Sequence, residues 1–225
     1  MTKRPIFLAT NKAPYYREFN VTFDWNPGFA KSQKQKNIQA MHLIFLRTPI
    51  GKDKRILEIS SKSTEDLGVN LSAFNLQKYV PSLGRKVPLE CVFQGGKVFE
   101  NGGPYLDLYE MKPADAKKDE RLRDSGRLTA FRFEGKDYPL KPLTIFYDWL
   151  YLNACLENPE LSEPLLKYDG FTDIEFNPEK SINCQARSAA IYVSLNKTGL
   201  IDQIRSFEAF REYTDISKEV QKAVF

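Results

Sequence analysis

One histidine, three cysteines and no apolar stretch of membrane-spanning length are what the 225 residues contain, and each shortage removes a class of function. With His42 alone there is no histidine-rich metal site, and a Ser-His-Asp triad would have to be built on that residue. No Gly-x-Ser-x-Gly elbow supports such a triad, and beside Met41 in a helical stretch His42 reads as a structural or surface residue. Cys91, Cys155 and Cys184 are odd in number, widely separated and without a Cys-x-x-Cys pair, so neither a disulfide framework nor a zinc ribbon is expected and a reduced compartment fits. Gly95-Gly96 and Gly102-Gly103 have the spacing of neither a Walker loop nor a dinucleotide-binding Gly-x-Gly-x-x-Gly turn. No metal and no cofactor is expected. The run Ile6-Phe7-Leu8-Ala9 behind a basic opening is too short for the core of a secretory signal, so the expected location is cytoplasmic, with no membrane partner.

What is present is the composition of an ordinary globular protein, 42% hydrophobic and 28% charged, in a length that suits one ample core. A net charge of +4 is compatible with a polyanionic substrate but far from the footprint of a dedicated DNA-binding domain.

The period-2 alternation of Phe19 to Trp25 predicts a half-buried strand, with Pro5 to Thr10 as its partner. Ser32-Gln33-Lys34-Gln35 has the form of a capping box, and Ile38, Met41 and Phe45 follow at helical spacing, predicting a helix from about Gln33 into the mid-forties. Arg55 to Ser60 reads as a strand after a turn at 51–54, and Asn70 to Lys86 as a loop-rich stretch. A central helix is expected over Pro88 to Phe99, with Pro88 at its first position and Glu90, Gln94 and Lys97 on one face. Its two glycines cost about 1 kcal/mol each against alanine. Either a neighbouring helix packs close there, or a ligand or another backbone must approach.

The stretch Lys112 to Arg127 carries charges of both signs and reads either as a solvated helix or loop or as a phosphate-binding edge. Phe131 to Tyr138 predicts a hairpin turning at Gly135. Pro142 begins an amphipathic, core-forming helix to about Leu156 that includes Trp149, and a shorter helix, interruptible at Pro164, leads toward Asp169-Gly170. A strand over Phe171 to Phe176, a helix capped by Asn183 and closed by Gly199, and a last helix after Leu200 complete the reading. Helices outnumber strands without strict alternation, so the expected class is α+β, predominantly helical, with a few short strands near the amino end and middle.

With one histidine, catalysis falls to carboxylates, lysines or hydroxyls, an inventory that suits glycosidic hydrolysis, whose oxocarbenium-like transition state needs carboxylates. Glu90 is the first candidate. It serves equally well as a first-turn acid that stabilises the helix dipole, and periodicity does not separate the two roles.

Leu89-Glu90-Cys91-Val92-Phe93-Gln94-Gly95-Gly96-Lys97 resembles the central motif of the NADAR family, in which a Lys follows the Glu by seven positions. Leu71-Ser72-Ala73-Phe74 is similar to the family's Leu-Ser-Asn-Phe loop, and Asp169 through Arg187 falls where the family has its acidic and Asn-containing motifs. Phe99 to Tyr105 and Ser181 to Ser188 resemble the subgroup associated with DarT-type toxins. Cys91 stands where the family usually has His, Ala73 where it has Asn, and the common Trp-Gly near Asp173 is missing.

The resemblance implies one NADAR-like domain over 1–225, with 1–66 as an extension packed on a 67–225 catalytic core. It implies an antitoxin that removes ADP-ribose from guanine in DNA, presented as a single strand, with a DarT-type toxin as partner and ADP-ribose as product. Glu90, Lys97 and Asp173 are then the expected catalytic residues, and Ser72, Phe74, Gln94, Tyr105, Asn183 and Arg187 the expected substrate contacts. Two routes stay open: water activated by Glu90 or Asp173, or attack by Lys97 on the ring-opened sugar. A glycosidase of a small riboflavin-pathway-like metabolite and a non-catalytic antitoxin acting by contact are the alternative functions.

Overall fold

The alternating amino-terminal residues form the first sheet edge in the computed structural model, which describes residues 1–179 and 181–214. Strands β1 (Thr2–Ala9) and β2 (Tyr16–Phe23) pair antiparallel, from Thr2 opposite Phe23 to Ala9 opposite Tyr16. Helix α1 (Lys31–Leu46) lays Ile38, Met41 and Phe45 onto Ile6, Leu8, Val21 and Phe23, forming a small separate apolar cluster. Ser32 does not cap this helix. The chain turns in earlier, at Ala30, whose carbonyl takes the Gln33 and Lys34 amides, and no side chain caps the end.

After β3 (Ile56–Glu58) and α2 (Asp66–Asn70), the stretch expected to be loop holds a hairpin, β4 (Gln77–Val80) and β5 (Arg85–Pro88). Its turn is closed by Gly84 at φ 62°, a conformation glycine adopts without steric cost. Lys78 in β4 is buried and held by Glu157 at 2.6 Å.

The central helix is shorter than the spacing predicts. Helix α3 spans Leu89–Gly95, and Lys97 opens a strand, β6 (Lys97–Phe99). The glycines explain the break: a Cβ on Gly95 would lie 2.6 Å from the Tyr109 ring, and one on Gly96 would lie 2.8 Å from the Arg132 carbonyl oxygen. Both of the structural alternatives are present: Tyr109 belongs to a short 3-10 helix, Leu106–Glu110, that packs on α3 at Gly95, and the Arg132 backbone approaches Gly96.

Short helices α4 (Pro113–Ala116) and α5 (Arg121–Asp124) occupy the charged stretch. Strands β7 (Leu128–Phe133) and β8 (Lys136–Tyr138) join β6 in a three-stranded sheet of order β6-β7-β8. Their turn, Glu134-Gly135, has positive φ at both residues (48° and 73°), the geometry that matches strand twist in a two-residue hairpin. Helix α6 (Ile145–Leu156) starts three residues after Pro142, and α7 (Pro159–Leu165) continues through Pro164. The expected strand at 171–176 is only β9 (Gly170–Thr172), followed by α8 (Gln185–Lys197) and α9 (Phe207–Thr214).

The main sheet runs β2-β1-β9-β3, with β9 antiparallel to β1 and parallel to β3. Strands from residues 1–66 therefore flank the one strand that comes from 67–225. Helices α6 and α8 form the larger core with the sheet: Phe146 is 1% exposed, and Tyr151 is fully buried with its hydroxyl donating to the Leu71 carbonyl at 3.0 Å. Each such side chain contributes about 1.5–3 kcal/mol by leaving water. Trp149 belongs to this core, stacked on Tyr138. The class is the α+β expected. Among the described residues, no helix is long and apolar enough to cross a membrane.

Candidate active site

Helix α3, the start of β6, the loops at 60–62 and 72–74, and residues 173–176 and 181–185 line a cavity of about 380 Å³, within the range of small-molecule sites. Its position follows from backbone bonding. The Leu89 and Glu90 amides, which no helix carbonyl can satisfy, donate to Leu76 and Ala73 oxygens (both 2.9 Å), tying α3 to the 71–76 loop. Gln185 then bridges two walls: its Oε1 accepts from the Ala73 amide at 2.7 Å, and its Nε2 donates to the Ile59 carbonyl at 2.6 Å.

Glu90 is 5% exposed at the cavity wall. One turn on, Gln94 Nε2 donates to Glu90 Oε1 at 2.9 Å, and Lys117 Nζ lies 3.7 Å from the same oxygen. The Gln94 orientation is set by that bond, because a carboxylate oxygen accepts; it leaves Gln94 Oε1 buried without a hydrogen-bond partner among the described residues. Asn183 Oδ1 is in the same state.

Lys97 points into the cavity with its ammonium 5.1 Å from the Phe93 ring centre. Burial lowers its pKa, Lys117 lowers it further and Glu90 opposes both. Asp173 moves the other way: burial first, then the charge of Glu58 behind it, raise its pKa well above the carboxylate range. Burial likewise raises Tyr147, on the cavity wall, well above the usual phenol value, so it remains a neutral hydroxyl. Among the described residues, no three His, Cys, Asp or Glu side chains gather where they could hold a metal.

Of the residues singled out in the sequence, Glu90, Lys97, Asp173, Ser72, Phe74, Gln94 and Asn183 line this cavity. Asn183 does so instead of capping α8, whose cap is Cys184 in extended conformation without a side-chain bond. Tyr105 lies outside the lining: its hydroxyl bonds to Ser125 and its ring lies under Arg121, 4.5 Å away. Arg187 also lies outside, buried in a pair with Asp148 at 3.1 Å, because α8 turns it away from the cavity and toward α6. Trp149 lies in the core, as its helix predicts.

Two of the three departures from the family pattern, Cys91 and Ala73, keep contacts that build the wall. Cys91 is fully buried with its thiol on the Met111 carbonyl at 3.3 Å, and Ala73 works through its backbone. Sequence reasoning missed Lys117 as a cavity residue, although it lay in the flagged charged stretch, and it missed Tyr147, Gln185 and Glu58. Gln185 lies inside the Ser181 to Ser188 motif without being singled out there, and nothing local marks Tyr147 or Glu58, whose roles arise from long-range pairing.

The family model described as DarT1-associated NADAR antitoxin matches residues 2–224. The chain belongs to that family. NADAR proteins are glycohydrolases, and the family's DarT1 association points to a toxin of the DarT type as partner. A search of curated proteins finds no match. In this NADAR chain the Glu-to-Lys motif joins a helix to a strand, so Glu90 and Lys97 meet the cavity from two elements rather than from one helical face.

Proposed function

We propose that the protein hydrolyses the N-glycosidic bond between the ribose C1″ of ADP-ribose and the exocyclic amine of guanine in DNA, reversing the modification made by a DarT-type toxin. The observation that carries this reading is the cavity that gathers Glu90, Gln94, Lys97 and Asp173 in a chain of an antitoxin family tied to such a toxin. Phe74 offers a ring on which a base can stack, and Lys62 and Lys117 offer cations for phosphate. The raised pKa of Asp173 favours a proton donor over a base, so water activation falls to Glu90. In this direct route Asp173 gives its proton to the departing guanine while Glu90 takes one from the water that attacks C1″, leaving ADP-ribose and unmodified guanine.

The lowered pKa of Lys97 favours a second route. The ribose ring opens to an imine with the guanine amine, neutral Lys97 adds to C1″ and displaces that amine, and water then releases the aldehyde, which closes to ribose. Borohydride reduces the lysine imine to a stable amine, so a trapped adduct that requires Lys97 is the expected sign of this route. Active protein that yields no adduct follows the direct one.

The deciding experiment is release of ADP-ribose from guanine-modified single-stranded DNA, with thymine-modified DNA as control. We expect release from guanine alone, reduced about 100-fold or more in Glu90→Gln and in Lys97→Ala. No release by folded protein would move the assignment to a metabolite glycosidase, and toxin neutralisation that survives Glu90→Gln would move it to an antitoxin acting by contact.

A further inference from the structure

Glu58 is 2% exposed and has no task in the chemistry above. It ends β3 opposite Thr172, and its carboxylate accepts three hydrogen bonds. Oε1 takes the Ser60 hydroxyl at 2.6 Å and the Ile174 amide at 2.8 Å, and Oε2 takes the Thr172 hydroxyl at 2.6 Å. Two of these donors come from the residues on either side of Asp173. Beyond them, His42 Nε2 lies 2.8 Å from the Thr172 hydroxyl oxygen. Since that hydroxyl gives its proton to Glu58, the imidazole is the donor, and burial keeps it neutral by lowering its pKa to about 4.

Asp173 is less well provided. Among the described residues, its carboxyl group accepts one hydrogen bond, from the Glu175 amide at 3.0 Å. Burial raises Glu58 as well as Asp173, which is partly exposed at the cavity; neighbouring carboxyls resist sharing two charges, and the one that faces three donors keeps the charge while the other keeps the proton. We propose that Glu58 is a positioning residue that locks the Thr172–Ile174 segment and makes Asp173 the proton donor of the site. This inference rests on the glycohydrolase reading above.

The other groups around the pair leave that assignment in place. Glu175 adds negative charge from the same segment, partly answered by Lys34 of α1 at 3.2 Å, while Lys117 opposes from the cavity mouth. Tyr147 of α6 and Cys184 before α8 are neutral, both raised chiefly by burial.

The test is the pH profile of kcat in wild type and Glu58→Gln, which removes the charge at constant size. A proton donor is lost as pH rises, so the alkaline limb is expected to move to lower pH by about one unit or more in the variant. Binding of ADP-ribose, followed by calorimetry, should stay within about twofold. Glu58→Asp keeps the charge and should leave the limb near its wild-type position. If Glu58→Gln does not fold, Thr172→Val, which removes one donor to Glu58 and so draws the proton toward it, should move the limb the same way by less. An unmoved limb, or a loss of rate equal at every pH, would overturn the proposal. Carbon-13 NMR titration of the side-chain carboxyls separates this inference from the function it rests on. Even with no activity on guanine-modified DNA, the Asp173 carboxyl, assigned by its absence in Asp173→Asn, should titrate well above the ordinary range in wild type and at lower pH in Glu58→Gln. Ordinary titration of all carboxyls would sink the inference by itself.

Discussion

A carboxyl group that resists ionisation costs stability wherever the solvent would ionise it, and Asp173 stands in that position. Its pKa is raised on folding, so the folded state holds a proton that the unfolded chain releases first. The contribution of this group is fully present below the unfolded carboxylate value of about 4 and is lost as pH rises through the folded one. Asp173→Asn should therefore melt above wild type at pH 8 and lose that advantage toward pH 4; calorimetric Tm values across pH would show it, and a constant gap would contradict it. Such a gain with loss of activity is what a site that trades stability for chemistry produces. Arg187 has the opposite character. Arg187→Met leaves Asp148 buried with Ser188 as its remaining side-chain partner at 2.6 Å, and should cost about 3–5 kcal/mol in urea unfolding even though Arg187 lines no part of the cavity. The family motifs made Glu90, Lys97 and Asp173 legible in the sequence. Tyr105 and Arg187 carried the same kind of resemblance, and only packing distinguishes a residue that faces the cavity from one that braces its wall.

Between elements, the decisive point is where α3 gives way to β6. Glu90, Gln94 and Lys97 have helical spacing, and the chain stops being helical at Gly95-Gly96 because Arg132 and Tyr109 fill the room a side chain would need. Gly96→Ala should cost about 1–3 kcal/mol and shift Lys97, since the intruding atom is a backbone oxygen that cannot swing aside. A Tm equal to wild type would show that β7 yields more easily than its pairing with β6 implies. The alternation in β2 and the Glu134-Gly135 turn were readable because each is a local signal of period or backbone sign. The β4–β5 hairpin was not, because strands this short, one of them carrying a buried Lys78, offer no period to detect.

Over the whole molecule, the site is assembled from segments near 61, 73, 93, 117, 147, 175 and 183, so no window of sequence contains it. The three thiols report on the integrity of that assembly. Cys91, Cys155 and Cys184 are free and buried, and burial raises each thiol, Cys91 to about 11. Native protein should resist iodoacetamide at pH 8, with all three sites modified together as urea unfolds the chain; fast labelling of one thiol in native protein would reveal local opening. The order β2-β1-β9-β3 also has a consequence in time. As the chain leaves the ribosome, β1 and β3 emerge early, but the strand that belongs between them begins only at Gly170. At about 5–20 residues per second, the gap between Ala9 and Gly170 lasts on the order of ten seconds. Until then Asp173 has not been made and Glu58 has no Thr172 beside it, so the cavity takes shape only after most of the chain has left the ribosome.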